Sequence, residues 1–375
     1  MMRGLRFLAA GLPWLFAAAN GSASGPPVPA QTRTYFIAAE EVDWDYAPSG
    51  KDLMSGIGFD SVQAVYTVPG PKHLGRVYRK ALYREYTDST FTHPKPRDAH
   101  WIHLGILGPL IRAQVGDTLR VMFRNRARGH AYSLHPHGVF YEKASEGMGM
   151  PDMAMDGVAA PGQTISYTWM VPARAGPGPG DGSSIFWPYH SHVVEQQDVS
   201  SGLIGGIIIT AAGKMRPDGS PIDVDREFVG LFTIFNENLS WYLDANIRRS
   251  KLPMPADHAD PEFAEGNLKH SINGYLYSNL PGLEMKVGER VRWYLMAMGS
   301  EGDLHTPHWH GNTVLVNGHR ADVGALLPAM TEVYDMLPDN PGSWMFHCHV
   351  SDHFVAGMSA QYTVLPADKV KEASK

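Results

Sequence analysis

From Thr32 onward the chain alternates short runs of β-branched and aromatic residues with turn clusters, the pattern of many strands and few helices. In the first half Thr34–Ala38, Gln63–Val68, Thr118–Arg124, Thr164–Val171 and Gly205–Thr210 read as strands. In the second half Phe228–Phe235, Arg290–Ala297, Asn312–Val316, Glu332–Met336 and Gln361–Leu365 do the same. Leu239–Ile247 and Pro261–Lys269 are expected to be short helices. Between the halves, Lys214–Asp225 holds Pro217, Gly219, Pro221 and three aspartates, the composition of a linker. This sets expected domains at 31–213 and 227–367, joined by 214–226. A weak repeat supports the division. Val115-Gly116-Asp117-Thr118-Leu119-Arg120-Val121 matches Val287-Gly288-Glu289-Arg290-Val291-Arg292-Trp293, and about 20 residues later each half carries His-x-His-Gly. Two copies of one β-sandwich is the economical expectation.

Composition agrees. At 375 residues the chain suits two domains. Its 39 Gly and 28 Pro supply the turns that many short strands need. A net charge of −6 gives no basic face for nucleic acid. Cys348 is the single cysteine, so neither an intramolecular disulfide nor a Cys-rich zinc site can form. Against it stand 18 His and 18 Met, which directs attention to metals. At the N-terminus, Arg3 and Arg6 precede an apolar run from Phe7 to Ala19, then Gly21-Ser22-Ala23-Ser24. That is the layout of a secretory signal over 1–24, too short to span a bilayer, and it predicts a protein exported to the periplasm or the medium.

The histidines are paired. In an extended strand residues i and i+2 face one side, so each His-x-His offers two imidazoles to one place. There are four such pairs, two per half: His135/His137 and His190/His192, then His308/His310 and His347/His349. Eight imidazoles exceed the needs of one four-coordinate zinc, and they suit three metals in one cluster. The last pair brackets Cys348, which by the same alternation faces a second site. With His353, Met358 and one further histidine, for which His305 is available, it makes the donor set of a blue-copper electron-transfer centre. Cys348 as a mere buried hydrophobe is the plainer alternative. Met148, Met150, Met153 and Met155 could bind Cu(I), but adaptable loop packing is the simpler expectation.

These segments resemble the multicopper oxidases: His135-Pro136-His137-Gly138, His190-Ser191-His192, His305-Thr306-Pro307-His308-Trp309-His310, and His347-Cys348-His349 running to Met358. The resemblance covers nearly all of the chain after the signal and is strongest to the ceruloplasmin and hephaestin branch. It is carried by Tyr46-Ala47-Pro48-Ser49-Gly50, Tyr86-Thr87-Asp88-Ser89-Thr90-Phe91 and Leu104-Gly105-Ile106-Leu107-Gly108-Pro109. It implies an all-β fold of two tandem cupredoxin-like Greek-key domains and four coppers per functional unit. By position, His305, Cys348, His353 and Met358 would hold the type 1 copper. His135 and His308 would hold the type 2 copper. His137, His190, His192, His310, His347 and His349 would hold the type 3 pair.

The implied activity is oxidation of a donor, one electron at a time, coupled to reduction of O2 to water. In that branch a Glu, a His and an Asp beside the type 1 copper bind iron, and Glu265, His270 and Asp352 match them. Fe(II) is therefore the expected donor, with phenols (a laccase-like activity) or Cu(I) as alternatives. Asp352 and Asp156 are acids to consider for proton delivery. A copper nitrite reductase would keep its cysteine in the first half, and a purely structural domain pair would need no ligands at all. The related six-domain proteins close a ring, which two domains can rebuild only as a homotrimer with intersubunit clusters.

Overall fold

The computed structural model describes residues 29–149, 157–251 and 260–367. The expected signal segment, Asp156, Met150, Met153 and Met155 lie outside the described residues. Strands dominate, and the sequence repeat is a repeat of structure. In the first half the long strand Thr32–Asp45 runs parallel to Thr118–Asn125, and in the second Arg226–Asn236 runs parallel to Val291–Ala297. The matched turn before each partner has the same construction. Gly116 and Gly288 take φ of +99° and +82°, and the acidic residue after each ties the turn to the first strand. Asp117 accepts from the Gln114 N–H and the Arg33 guanidinium, and Glu289 accepts from the Lys286 N–H and the Arg226 guanidinium.

Four sheets stack in layers. The outermost contains Val77–Tyr86, Thr32–Asp45, Thr118–Asn125 and Thr164–Met170. The next holds Ile111–Gln114, Ile204–Thr210, Ser184–His190 and His135–Pro136. A six-stranded sheet of the second half follows, centred on Arg226–Asn236 and Val291–Ala297. The last layer holds Glu284–Lys286, Ser359–Leu365, Gly342–Cys348 and Pro307–Trp309. Ile204–Thr210 is buried on both faces. Ile207 and Ile209 pack into the first half's core, while Ile204 and Ile208 pack with Val229, Leu231, Tyr294 and Met296 of the second half. The seam between the halves is thus a hydrophobic core in its own right.

Polar groups fix its register. Arg112 makes a two-point pair with Glu227, at 2.9 and 3.2 Å. Lys80 pairs with Glu237 with both side chains fully buried, and Tyr46 also donates to Glu237. His103 Nε2 accepts from the Val229 N–H at 3.2 Å, and Asn273 Nδ2 donates to the His103 carbonyl at 2.6 Å.

The expected strands recur with shifted ends, with one exception. Gln63–Val68 instead falls on a helix, Ser61–Thr67, and its C-cap Val68, because the Asp60 side chain caps the N–H groups of Val62 and Gln63 and Gln63 completes a capping box. The expected helices are shorter, at Leu243–Ser250 and Pro261–Gly266, and Leu268–Ile272 instead joins the Arg226–Asn236 strand. Among the described residues no helix is long and apolar enough to cross a membrane.

Candidate metal centres

Strand pairing assembles the histidines. His135 lies opposite His190, and His308 lies opposite His347, in antiparallel pairs. Each His-x-His therefore meets its own half's second pair on one sheet face, giving two quartets. In the first, ring centroids are 5.0 to 5.6 Å apart. In the second they are 4.6 to 5.6 Å apart. His137 and His190 approach Nε2 to Nε2 at 3.1 Å, and His310 and His347 do the same at 3.1 Å. Backbone carbonyls hold the opposite nitrogens: Glu146 O on His135 Nδ1, Ser191 O on His190 Nδ1, and Cys348 O on His347 Nδ1. Those contacts fix the protonated nitrogen and leave Nε2 as the free lone pair. Burial, followed by mutual repulsion, lowers His137 to about 4 and His190 to about 3, so both stay neutral and able to ligate.

The glycine that ends each His-x-His-Gly has a mechanical reason. Gly138 and Gly311 take φ of +76° and +73°, and a Cβ there would meet the Trp187 and Trp344 rings at 2.3 and 2.5 Å. Behind the first quartet the buried Asp198 accepts from Ser191 Oγ, the N–H groups of Val193 and Val194, and Trp241 Nε1. It fixes the His190–His192 turn and ties it to the second half.

Cys348 points away from its flanking histidines into the second core, as alternation requires. Its Sγ is 3.8 Å from His305 Nδ1 and 3.6 Å from His353 Nδ1, and the two Nδ1 atoms are 3.2 Å apart. Met358 is buried in the same cluster, and its carbonyl accepts from the Cys348 N–H. Burial alone would raise the thiol, but His305, His353 and the Thr306 N–H outweigh it and lower Cys348 to about 6. Asp303, buried two residues before His305, stands 3.3 Å from His305 Nε2 and orients that ring.

Contacts link two of the expected donor-site residues, Glu265 and His270, through Tyr66. His270 packs against His353 with centroids 5.2 Å apart and rings tilted by 48°. Tyr66 donates to Glu265 Oε1 at 2.6 Å and sets its ring edge-on to His270 at 6.0 Å. Asp352 opens the short helix Ser351–Val355 immediately before the buried His353. Glu265 and Asp352 are exposed, whereas His270 and His353 are buried beneath them. Sequence reasoning missed Tyr66, Asp303 and Asp198. Tyr66 fell in the segment read as a strand. An acid two residues before His305 was a usable signal, since in an extended run both side chains face the same way.

The two quartets do not meet. They belong to the second and fourth layers, and among the described residues no ring contact joins one quartet to the other.

Paired β-sandwiches with a buried cysteine–histidine group and two open histidine quartets place the chain in the class of cupredoxin-like copper proteins. Family models for multicopper oxidases match residues 85–214 and 250–368. The chain belongs to the multicopper oxidase family, and copper is the cofactor that family implies. Hephaestin of Rattus norvegicus is 45% identical over 343 residues, 89% of this chain and 29% of its own length. Ferroxidase HEPHL1 of Mus musculus is 43% identical over 346 residues, 90% of this chain and 30% of its own. Ceruloplasmin of Homo sapiens is 42% identical over 348 residues, 90% of this chain and 31% of its own. The chain thus spans about three tenths of the length of these relatives. A crystal structure of a multicopper oxidase superposes with a TM-score of 0.56 at 20% identity over 89% of each chain. Multicopper oxidase mgLAC gives 0.57 at 20% identity over 92% of this chain and 90% of its own. At that identity the two structures establish the shared all-β, tandem cupredoxin-like fold.

Proposed function

We propose that the protein is an exported multicopper oxidase with Fe(II) as its electron donor and O2 as its acceptor. Its two cupredoxin domains are 31–213 and 227–367, joined by 214–226. The observation that supports the donor is a chain of contacts: His270 packs on His353, and Tyr66, edge-on to His270, donates to Glu265, while Asp352 precedes His353 in sequence.

The donor sets fit copper. A buried thiol held low, two imidazoles with facing Nδ1 atoms and an adjacent thioether are the soft set of a blue-copper site. His305, Cys348, His353 and Met358 would hold that ion. His135 and His308 would hold the type 2 ion, and the remaining six paired histidines would hold the type 3 pair. When bound, copper supplies one-electron acceptance from the donor and four-electron reduction of O2 to water. The chain supplies the wiring, because Cys348 is covalently continuous with His347 and His349 and so links the two metal groups by a short bonded path. At the donor side Glu265 and Asp352 present two negative charges at the surface. Anionic oxygens stabilise a trivalent ion more than a divalent one, which lowers the iron potential and assists electron loss. His270 and His353 carry the contact inward.

The test compares oxygen uptake with Fe(II), Cu(I) and a phenol, for the parent protein and for Glu265→Ala combined with Asp352→Ala. Loss confined to Fe(II) is expected. Equal loss on Fe(II) and on a bulky organic dye would remove the iron site, and a parent that prefers phenols would make the protein laccase-like. We also propose that each quartet is half of a shared cluster, completed in a homotrimer in which the first half of one subunit meets the second half of the next.

A further inference from the structure

We propose that Tyr66, contributed by the first half of the chain, is a positioning residue of the donor site: its hydroxyl holds Glu265 so that one carboxylate oxygen stays free for the incoming ion. The inference rests on the reading of Glu265, His270 and Asp352 as the Fe(II) site. Glu265 is an exposed side chain in the last turn of a six-residue helix, Pro261–Gly266, so nothing in its own element restrains its rotamers. The restraint comes from across the seam. Tyr66 OH donates to Oε1 at 2.6 Å, from a buried ring packed edge-on against His270.

Tyr66 is itself held from three sides. Asp60 caps its helix, Thr67 Oγ1 bonds back to the Gln63 carbonyl at 2.7 Å, and the Tyr66 carbonyl accepts from Lys269 Nζ at 2.6 Å. That same ammonium donates to the carbonyls of Gly75 and Gly266, at 2.9 and 2.5 Å. Lys269 therefore clamps the helix bearing Tyr66 to the helix bearing Glu265, one residue beyond the carboxylate.

The consequence is a ligand with one oxygen engaged and one presented, beside a buried imidazole whose Nδ1 has no protein partner among the described residues. Partners of this kind, one bond behind a metal ligand, typically change metal affinity by about 10- to 100-fold when removed. The site is also a joint product of both halves. Its affinity depends on the seam as well as on the ligands.

Tyr66→Phe removes the hydroxyl and keeps the ring. In the copper-loaded protein it should raise KM for Fe(II) about tenfold with kcat changed less than about twofold. Inhibition of Fe(II) oxidation by Zn(II), a redox-inert probe of the same ligands, should weaken by a similar factor. Oxidation of a bulky dye, the visible copper–thiolate band and copper content should not change. Glu265→Gln is measured alongside. If Glu265→Gln leaves Fe(II) oxidation intact, the iron site itself is wrong. If Glu265→Gln impairs it while Tyr66→Phe keeps the parent KM and Zn(II) inhibition, the site stands and the role of Tyr66 is overturned. Loss of dye oxidation in Tyr66→Phe would also overturn it, because the effect would then lie at the copper group.

Discussion

At the scale of single residues, Cys348 and Asp303 bear the sharpest tests. Cys348 is the only thiol in the chain, and its Sγ is 3.8 and 3.6 Å from the ring nitrogens of His305 and His353. Cys348→Ser is expected to abolish the intense visible band of a copper–thiolate bond, along with turnover, while the quartets still take up copper. Absorption and metal analysis check this, and a variant that stays blue and active would mean another electron-entry site. Asp303 tests positioning instead. It accepts from the Ile234 and Ser300 N–H groups at 2.7 and 2.8 Å and faces His305 Nε2 at 3.3 Å, with Asp303 and His305 themselves buried. Asp303→Ala removes the acceptor of all three contacts, and a loss of about 1–3 kcal/mol of stability is expected in denaturant unfolding. Asp303→Asn keeps an acceptor oxygen and should lose less. Equal losses in both variants would show that the charge, not the hydrogen-bond geometry, matters there.

Among the elements, the turn of helix Ala99–Leu104 gives a pH prediction. His103 lies within the seam, where its Nε2 accepts from the Val229 N–H and its ring packs on Phe228 at 5.2 Å. Burial, opposed only weakly, lowers its pKa from 6.5 to about 3. The folded state must therefore keep it neutral while the unfolded chain takes up a proton below about pH 6.5. Its contribution to stability is complete above that point and is lost as pH falls towards 3, with a limiting slope of about 1.4 kcal/mol per pH unit. Urea unfolding at stepped pH should show His103→Gln with a shallower acid slope than the parent, and an identical slope would place the acid sensitivity elsewhere. The same seam explains what was and was not legible in the sequence. Strands such as Thr118–Asn125 and Val291–Ala297, and the pairing of the histidines, follow from local alternation and were expected. The strand Val77–Tyr86 was not, because Arg79, Lys80, Arg84 and Glu85 break its apolar pattern, and Lys80 becomes acceptable only by burial against Glu237 from the other half. Tyr66 was hidden for a related reason. Its β-rich neighbours outweighed the Asp60–Gln63 capping signal, and its partner Glu265 lies 199 positions away.

At the scale of the whole molecule, the proposed trimer can be tested. The quartets sit in the second and fourth of four layers, separate from each other within one chain. Both rims carry exposed apolar and acidic side chains. Phe140, Val194 and Glu195 stand beside the first quartet; Val323, Leu327 and Asp322 stand beside the second. Two different faces of one chain that join head to tail close a ring when the rotation permits. In the proposed trimer three subunits would give the six domains of a closed ring, with each cluster shared between neighbours. The blue site needs no such help, because His305, Cys348, His353 and Met358 all come from one chain. Copper content should therefore separate by assembly state. Light scattering of the copper-loaded protein should give three times the subunit mass, and Phe140→Glu or Val323→Glu should yield monomers. Those monomers should retain the visible copper–thiolate band but lose the coppers of the shared cluster and, with them, oxygen uptake. A monomer with its full copper complement and undiminished oxygen uptake would overturn the trimer, and would require the two quartets to meet within a single chain.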